Sequence, residues 1–361
     1  MMPTFFDNSL MREDVAKILI RNNRAQMKAA ADFMSRKENK KFDFMDILSK
    51  ISDANEDYYD IISNSNRSLQ ELADVLTYEE KIFIAKLYRY AEERVAESKS
   101  KNYPIPKNVK IKEINIDFVY AELQIPPGVN EDRILLYFHG GGQVLGSAKV
   151  HRLFTIELAE VTSMSVLSVN YRLAPEHPFP TGLEDGLYSY KWLLKEGYQP
   201  KNIIIGGDSS GANITLALLL KLRDKGIPLP TGAFALSPPI DYTQESKTKY
   251  TNKETDFLSD VGVFWWDLTY LAGKDPYNPY ISPVHADLKG LPPILLQVST
   301  AEMLYDHSTR FFKRAEAAGV DITLQEWDGM MHVWQVYGLF ELPESEEAIK
   351  KIGQFVQDLF R

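Results

Sequence analysis

No cysteine occurs in the 361 residues, which removes disulfides, thiolate nucleophiles and cysteine-ligated metals. Positive charge is in deficit: 41 Lys and Arg face 50 Asp and Glu, a formal net charge of -9. That balance would not neutralise a phosphate backbone, so nucleic acid is not an expected partner. Long apolar runs are missing too. The apolar stretches are strand-sized or amphipathic, and Met1–Leu10 lacks a basic segment followed by an apolar one. The expectation is a cytoplasmic protein without stable membrane insertion. Histidine is scarce, and none of the six pairs with another at metal-ligand spacing, which argues against zinc or any other metal centre.

What is present is the composition of an ordinary globular chain, 44% hydrophobic and 25% charged, long enough to bury a large core. Residues 11 to about 98 read as helices. Val15, Ile18, Leu19 and Asn22, then Met27, Ala30 and Met34, form a helical stripe, and a second helical segment runs from Phe44 to about Ile62. Ser68–Glu71 and Thr77–Glu80 each have capping-box spacing. Phe83, Leu87, Tyr90 and Ala91 share one face of the helix after Thr77. A polar, proline-punctuated linker is expected at Lys99–Lys107.

Two alternating runs follow, Val109–Ile116 and Val119–Ile125, tightly joined and so expected to be antiparallel. Further strands are expected at Ile134–Phe138, Ser165–Tyr171, Asn202–Gly206, Gly232–Leu236, Ile294–Val298 and Ile322–Trp327. Helical patterns separate them, for example Gly182–Lys195 and Ala212–Arg223. Continuous apolar strands alternating with helices imply an α/β fold with a mostly parallel central sheet flanked by helices. Between Asp241 and Pro293 the rhythm breaks into a polar start, an aromatic helical segment (Val261–Leu271) and a proline-rich exit. An insertion of that length reads as part of a lid. The expected division is a helical region over 1–100, core over 101–242, cap insertion over 243–285 and core again over 286–361.

The chemistry is concentrated where Ile203–Gly206 runs into Gly207-Asp208-Ser209-Ser210-Gly211, followed by a helical pattern. Strand, Gly-x-Ser-x-Gly and helix together are the context of a nucleophile elbow. Its sharp turn demands small neighbours, and the helix N-terminus favours negative charge at the serine. Ser209 is therefore the candidate nucleophile. Upstream, His139-Gly140-Gly141-Gly142-Gln143 follows a strand. Alone, three glycines read as a flexible turn; ahead of an elbow they supply backbone N–H donors for an oxyanion. The expected donors are Gly141, Gly142 and Ser210, with His139 orienting the loop.

With Tyr171-Arg172-Leu173-Ala174-Pro175-Glu176-His177-Pro178-Phe179-Pro180 and a C-terminal His332, these motifs span roughly residues 109–361. In combination they resemble the hormone-sensitive lipase-like family of α/β-hydrolases. The family's usual elbow is Gly-Asp-Ser-Ala-Gly-Gly-Asn, and here Ser210 and Ala212 replace small residues. The resemblance implies an α/β-hydrolase fold with a helical cap built from N-terminal helices and the insertion. It also implies a catalytic histidine after the last strand, at His332, and an acid after the strand Ile294–Val298. That acid is Glu302 or Asp306; Glu302 occupies the family's position, whereas Asp306 suits the start of the next helix. His285 and His307 read as surface or packing residues, His151 and His177 as lying in the neighbourhood of loops near the site. Phe257, Trp265, Trp266 and Tyr270 read equally as pocket wall or cap packing.

The implied activity is hydrolysis of short-to-medium acyl esters through an acyl-enzyme, on a small-molecule substrate and without a cofactor. A lactonase, deacetylase or amidase would carry the same motifs. A catalytically dead, ligand-binding homologue would be expected to have lost part of the Ser209, Glu302 and His332 set. The long N-terminal region leaves an interaction module or a homo-oligomer open.

Overall fold

The computed structural model describes residues 11–64, 69–243, 245–258 and 260–361. Its frame is an eight-stranded sheet. The strands are β1 (Lys110–Ile116), β2 (Val119–Ile125), β3 (Asn130–Phe138), β4 (Met164–Asn170), β5 (Ile203–Asp208), β6 (Gly232–Leu236), β7 (Ile294–Ser299) and β8 (Ile322–Trp327). Their order across the sheet is β1-β2-β4-β3-β5-β6-β7-β8. β2 runs antiparallel to both β1 and β4, and every other pairing is parallel.

Successive side chains of a strand face opposite ways, and both faces here are apolar. Ile134, Leu136, Phe138, Ile203 and Ile205 pack beneath α6 (Thr181–Lys195), α7 (Ser210–Asp224) and α10 (Tyr305–Ala317). Leu135, Tyr137, Ile204, Phe234 and Leu295 face α5 (Ala148–Thr162) and, after the single turn α11 (Trp334–Tyr337), α12 (Pro343–Asp358). That double cover explains why the central strands read as unbroken apolar runs.

The N-terminal region forms α1 (Glu13–Ser35), α2 (Phe44–Asn64), α3 (Leu69–Ala73) and α4 (Tyr78–Asn102). Thr77 caps α4: its hydroxyl accepts from Glu80 N, while Glu80 accepts from Thr77 N at 2.7 Å. The capping box expected at Ser68 lies outside the described residues. The expected linker begins later than its composition suggests. α4 continues through Lys99 to Asn102, because Lys99 and Lys101 in its last turn favour the negative end of the helix dipole.

The insertion contributes α8 (Thr248–Thr251) and α9 (Asp260–Leu271), and the described residues between Asp241 and Pro293 contain no strand. α9 packs on α2 and α3, so Trp265 and Leu268 share a second apolar core with Phe33, Ile47, Phe83 and Leu87. This core rests on Val144, Leu145 and Ala174 of the sheet's loops. Arg89 of α4 joins the two layers: its guanidinium donates to Val144 O at 2.7 Å, Ala174 O at 2.8 Å and both Glu176 oxygens at 2.8 Å. No helix among the described residues is long and apolar enough to cross a membrane.

Candidate active site

β5 delivers Ser209 to the carboxyl end of the sheet. Its backbone sits at φ 48 and ψ -124, a conformation that costs roughly 1–3 kcal/mol and persists only where the surroundings enforce it. Ser209 N donates to Leu236 O at 2.7 Å, and two glycines make the turn sterically feasible. A Cβ on Gly207 would lie 2.5 Å from Gly211 C, and one on Gly211 would lie 2.0 Å from Phe138 O. Strand, turn and helix are pressed together too closely for any side chain there.

Asp208, beside Ser209, fastens the neighbouring loop. It accepts from Tyr137 Oη and from Gly140 N, the latter at 3.0 Å, and faces His151 Nε2 at 3.4 Å. Burial favours its neutral form, but the charge of His151 and the hydrogen bonds from His151 and Tyr137 outweigh it and hold the carboxyl below the usual range. His151 projects from the first turn of α5, next to the loops around the site. Burial and the nearby charge of His151 push His139 down to about 3, so its ring is neutral. His139 stacks on Tyr171 with ring centres 4.4 Å apart, which fits its expected role in shaping the loop.

After Gly140 the chain takes positive φ at Gly141 (118), Gly142 (61) and Gln143 (59). Gln143 N donates to Ser210 Oγ at 3.0 Å, so the Ser210 side chain, and not its N–H alone, ties this loop to the elbow. Among the described residues the N–H groups of Gly141 and Gly142 have no acceptor, and Ser210 opens α7, where N–H groups lack intrahelical partners.

His332 follows β8, and it lies against Ser209 and Glu302. The Glu302 carboxylate only accepts, so His332 Nδ1 carries the hydrogen and donates to Oε2 at 2.7 Å. Nε2 is then the acceptor for Ser209 Oγ at 2.9 Å. The second Glu302 oxygen accepts from Ser299 N and Ser237 Oγ, each at 2.8 Å. Burial opposes a charge on His332, but the hydrogen bond and charge of Glu302, with Asp256 and Asp208 behind them, outweigh it and raise the imidazole above its ordinary value. Asp306 is not brought to the histidine. It accepts instead from Ser246 Oγ and from Lys247 N, the latter at 2.7 Å.

Ser209 and His332 open into a cavity of about 690 Å³. Its walls include Leu19 of α1, Met45 of α2, Tyr88 and Val95 of α4, and Trp265 and Trp266 of α9. A Cβ on Gly142 would meet Trp266 Cγ at 3.0 Å, so this indole lies directly over the glycine loop. Phe257 also lines the cavity, but Tyr270 does not; it packs with Tyr242, Leu271 and Ile281. His307 is buried and accepts from Ile240 N at 3.1 Å, and His177 is exposed. His285 joins Asp241 and Glu245 in a cluster whose ligand atoms lie within 4.8 Å, a grouping that sequence spacing does not disclose. Arg310 already pairs with both carboxylates there.

A family model described as the alpha/beta hydrolase fold matches residues 135–336. The chain belongs to this family. An acetyl-hydrolase of Streptomyces hygroscopicus is 40% identical over 238 residues, covering 64% of this chain and 78% of its own length. An esterase of Acinetobacter venetianus is 36% identical over 259 residues, covering 71% and 85%. A solved esterase from the bacterial hormone-sensitive lipase family superposes with a TM-score of 0.73 at 35% identity, covering 89% of this chain and 100% of that one. A mutant of the esterase E40 gives 0.73 at 40% identity, covering 77% and 92%. Within the α/β-hydrolases the chain is hormone-sensitive lipase-like, as its motifs imply.

Asn252, Asp256 and Ser237 carry no signal in any motif, yet they surround the Glu302 turn.

Proposed function

We propose that this carboxylic ester hydrolase is a serine carboxylesterase that cleaves short-to-medium acyl esters through an acyl-enzyme. The observation that carries the reading is the continuous line from Ser209 Oγ through His332 to Glu302, with bonds of 2.9 and 2.7 Å. Ser209 Oγ attacks the ester carbonyl while His332 Nε2 takes its proton, and Glu302 holds the imidazole tautomer and stabilises the imidazolium. The N–H groups of Gly141, Gly142 and Ser210 receive the negative charge that develops on the carbonyl oxygen. His332 then returns the proton to the departing alcohol. Water repeats the sequence to release the acid.

The α1–α4 region and α9 act as the cap in this reading, and the 690 Å³ cavity beneath them, within the range of small-molecule sites, holds the ester. The substrate is a small-molecule ester.

The test is hydrolysis of p-nitrophenyl esters, acetate through palmitate, by the protein and by Ser209→Ala. Activity peaking at short or medium chains and lost in the variant is the expected result. Equal inertness of both proteins on every ester would overturn the reading.

A further inference from the structure

The segment Ser246–Leu258, which reads from sequence as the start of a lid, is bonded throughout to the turn that carries Glu302. Four consecutive carbonyls of that turn accept from it. Asn252 Nδ2 donates to Thr300 O at 2.8 Å and to Glu302 O at 3.0 Å. Thr255 Oγ1 donates to Ala301 O at 2.9 Å, and Thr248 Oγ1 to Met303 O at 2.9 Å. In the other direction Met303 N donates to Asp256 Oδ2 at 2.8 Å, and Asp306 N to Thr248 Oγ1 at 3.0 Å. Residues 300–304 form neither helix nor strand, and the turn's own backbone bonds, Glu302 N to Ser299 O at 3.2 Å and Tyr305 N to Glu302 O at 3.1 Å, leave the carbonyls of Thr300, Ala301 and Met303 to this segment. Glu302 is nevertheless fully buried and must meet His332 within a fraction of an ångström to act.

We infer that Ser246–Leu258 is a clamp on the triad acid, in which Asn252, Thr255 and Asp256 are positioning residues: they set the place of Glu302 without touching substrate. The inference rests on the proposed triad. Asn252 is its centre, because one amide holds the carbonyls on both sides of Ala301. Asp256 is buried, with its two oxygens taken by Met303 N and by Leu258 N at 3.2 Å, and it faces His332 and Glu302. Loosening the clamp lets the Glu302 carboxylate drift from Nδ1. The turnover step suffers, while the pocket that binds the ester is left as it was.

The experiment measures kcat, KM and the acidic limb of kcat/KM on a p-nitrophenyl ester for wild type, Asn252→Ala and Glu302→Gln. The expected result for Asn252→Ala is kcat lower by about ten- to a hundredfold with KM within about twofold. Its acidic limb also moves to lower pH, because the hydrogen bond from His332 to Glu302 is among the influences raising that histidine, the others being the charges of Glu302, Asp256 and Asp208. A variant that loses only thermal stability, with kcat and limb unchanged, would overturn the inference. Glu302→Gln separates the two levels: if it too retains wild-type kcat, the triad reading fails first. Should Asn252→Ala not fold, Thr255→Val and Thr255→Ser replace it. Lower kcat in the valine variant, restored by serine, supports the clamp, and equal kcat in both overturns it.

Discussion

The turns that carry Ser209 and Glu302 both leave the carboxyl ends of parallel strands, β5 and β7, where ligands of open α/β sheets gather. The serine turn is held from within. Its geometry follows from a few adjacent residues: glycines at 207 and 211 that admit no Cβ, and a serine forced to φ 48 between them. The acid turn keeps a few bonds of its own, Glu302 N to Ser299 O and Tyr305 N to Glu302 O, and is otherwise held from outside. It has no strained residue and no glycine, and its carbonyls are bonded by side chains about fifty positions earlier in the chain. Constraint encoded locally leaves a motif. Constraint supplied by a remote loop leaves none.

The largest effect that probes this contrast is removal of the proposed nucleophile. Ser209→Ala should lower kcat on an activated ester by about 10⁴-fold or more while leaving thermal unfolding close to wild type. Glu302→Gln keeps the shape of the acid turn but fixes the wrong histidine tautomer, and should cost about 10³- to 10⁴-fold in kcat. Its pH profile supplies a signed check. On the proposed mechanism wild-type activity should fall on acidification once His332 holds a proton, and because His332 is raised, that fall should be centred above the ordinary 6.5. Without the Glu302 charge the histidine pKa drops, so the remaining activity should persist to lower pH.

Gly211→Ala acts on the locally encoded turn. A methyl 2.0 Å from Phe138 O cannot be accommodated without moving β3 or α7, and should cost about 3 kcal/mol or more in urea unfolding. The smallest effect is expected far from both turns. Thr77→Ala removes the capping hydroxyl of α4 and should lower stability by about 1 kcal/mol with kcat unchanged. A large loss of kcat in that variant would mean that the helical layer and the catalytic turns are coupled more tightly than their separate cores imply.

The same contrast explains what could be read from the residues. β2, β6 and β8 match their sequence patterns end to end, since alternation or a short apolar run bounded by turn residues specifies a strand locally. Ser209 and the glycine loop were legible for the same reason. The choice of Glu302 over Asp306 needed the family resemblance, because two carboxylates four residues apart look alike until one is seen at 2.7 Å from the histidine. The Ser210 hydroxyl, Asp208 as a fastener and Asn252 were not legible. Each acts through a contact across tens of residues, and nothing in its immediate neighbours records the partner. For the aromatic residues of the insertion both readings stay open in the sequence, and the structure divides them: Trp265 and Trp266 reach the cavity, while Tyr270 on the same helix packs toward Tyr242.

The origin of the cavity wall has a consequence for descent. Leu19, Met45, Tyr88 and Val95 precede the span 135–336 that matches the family, whereas Ser209, Glu302 and His332 all fall inside it. Changes in the first hundred codons therefore reach part of the cavity wall beside Ser209 without touching Ser209 itself. Part of the wall and the whole of the proposed triad are thus written in different stretches of the gene, while Phe257, Trp265 and Trp266 complete the wall from inside the family span.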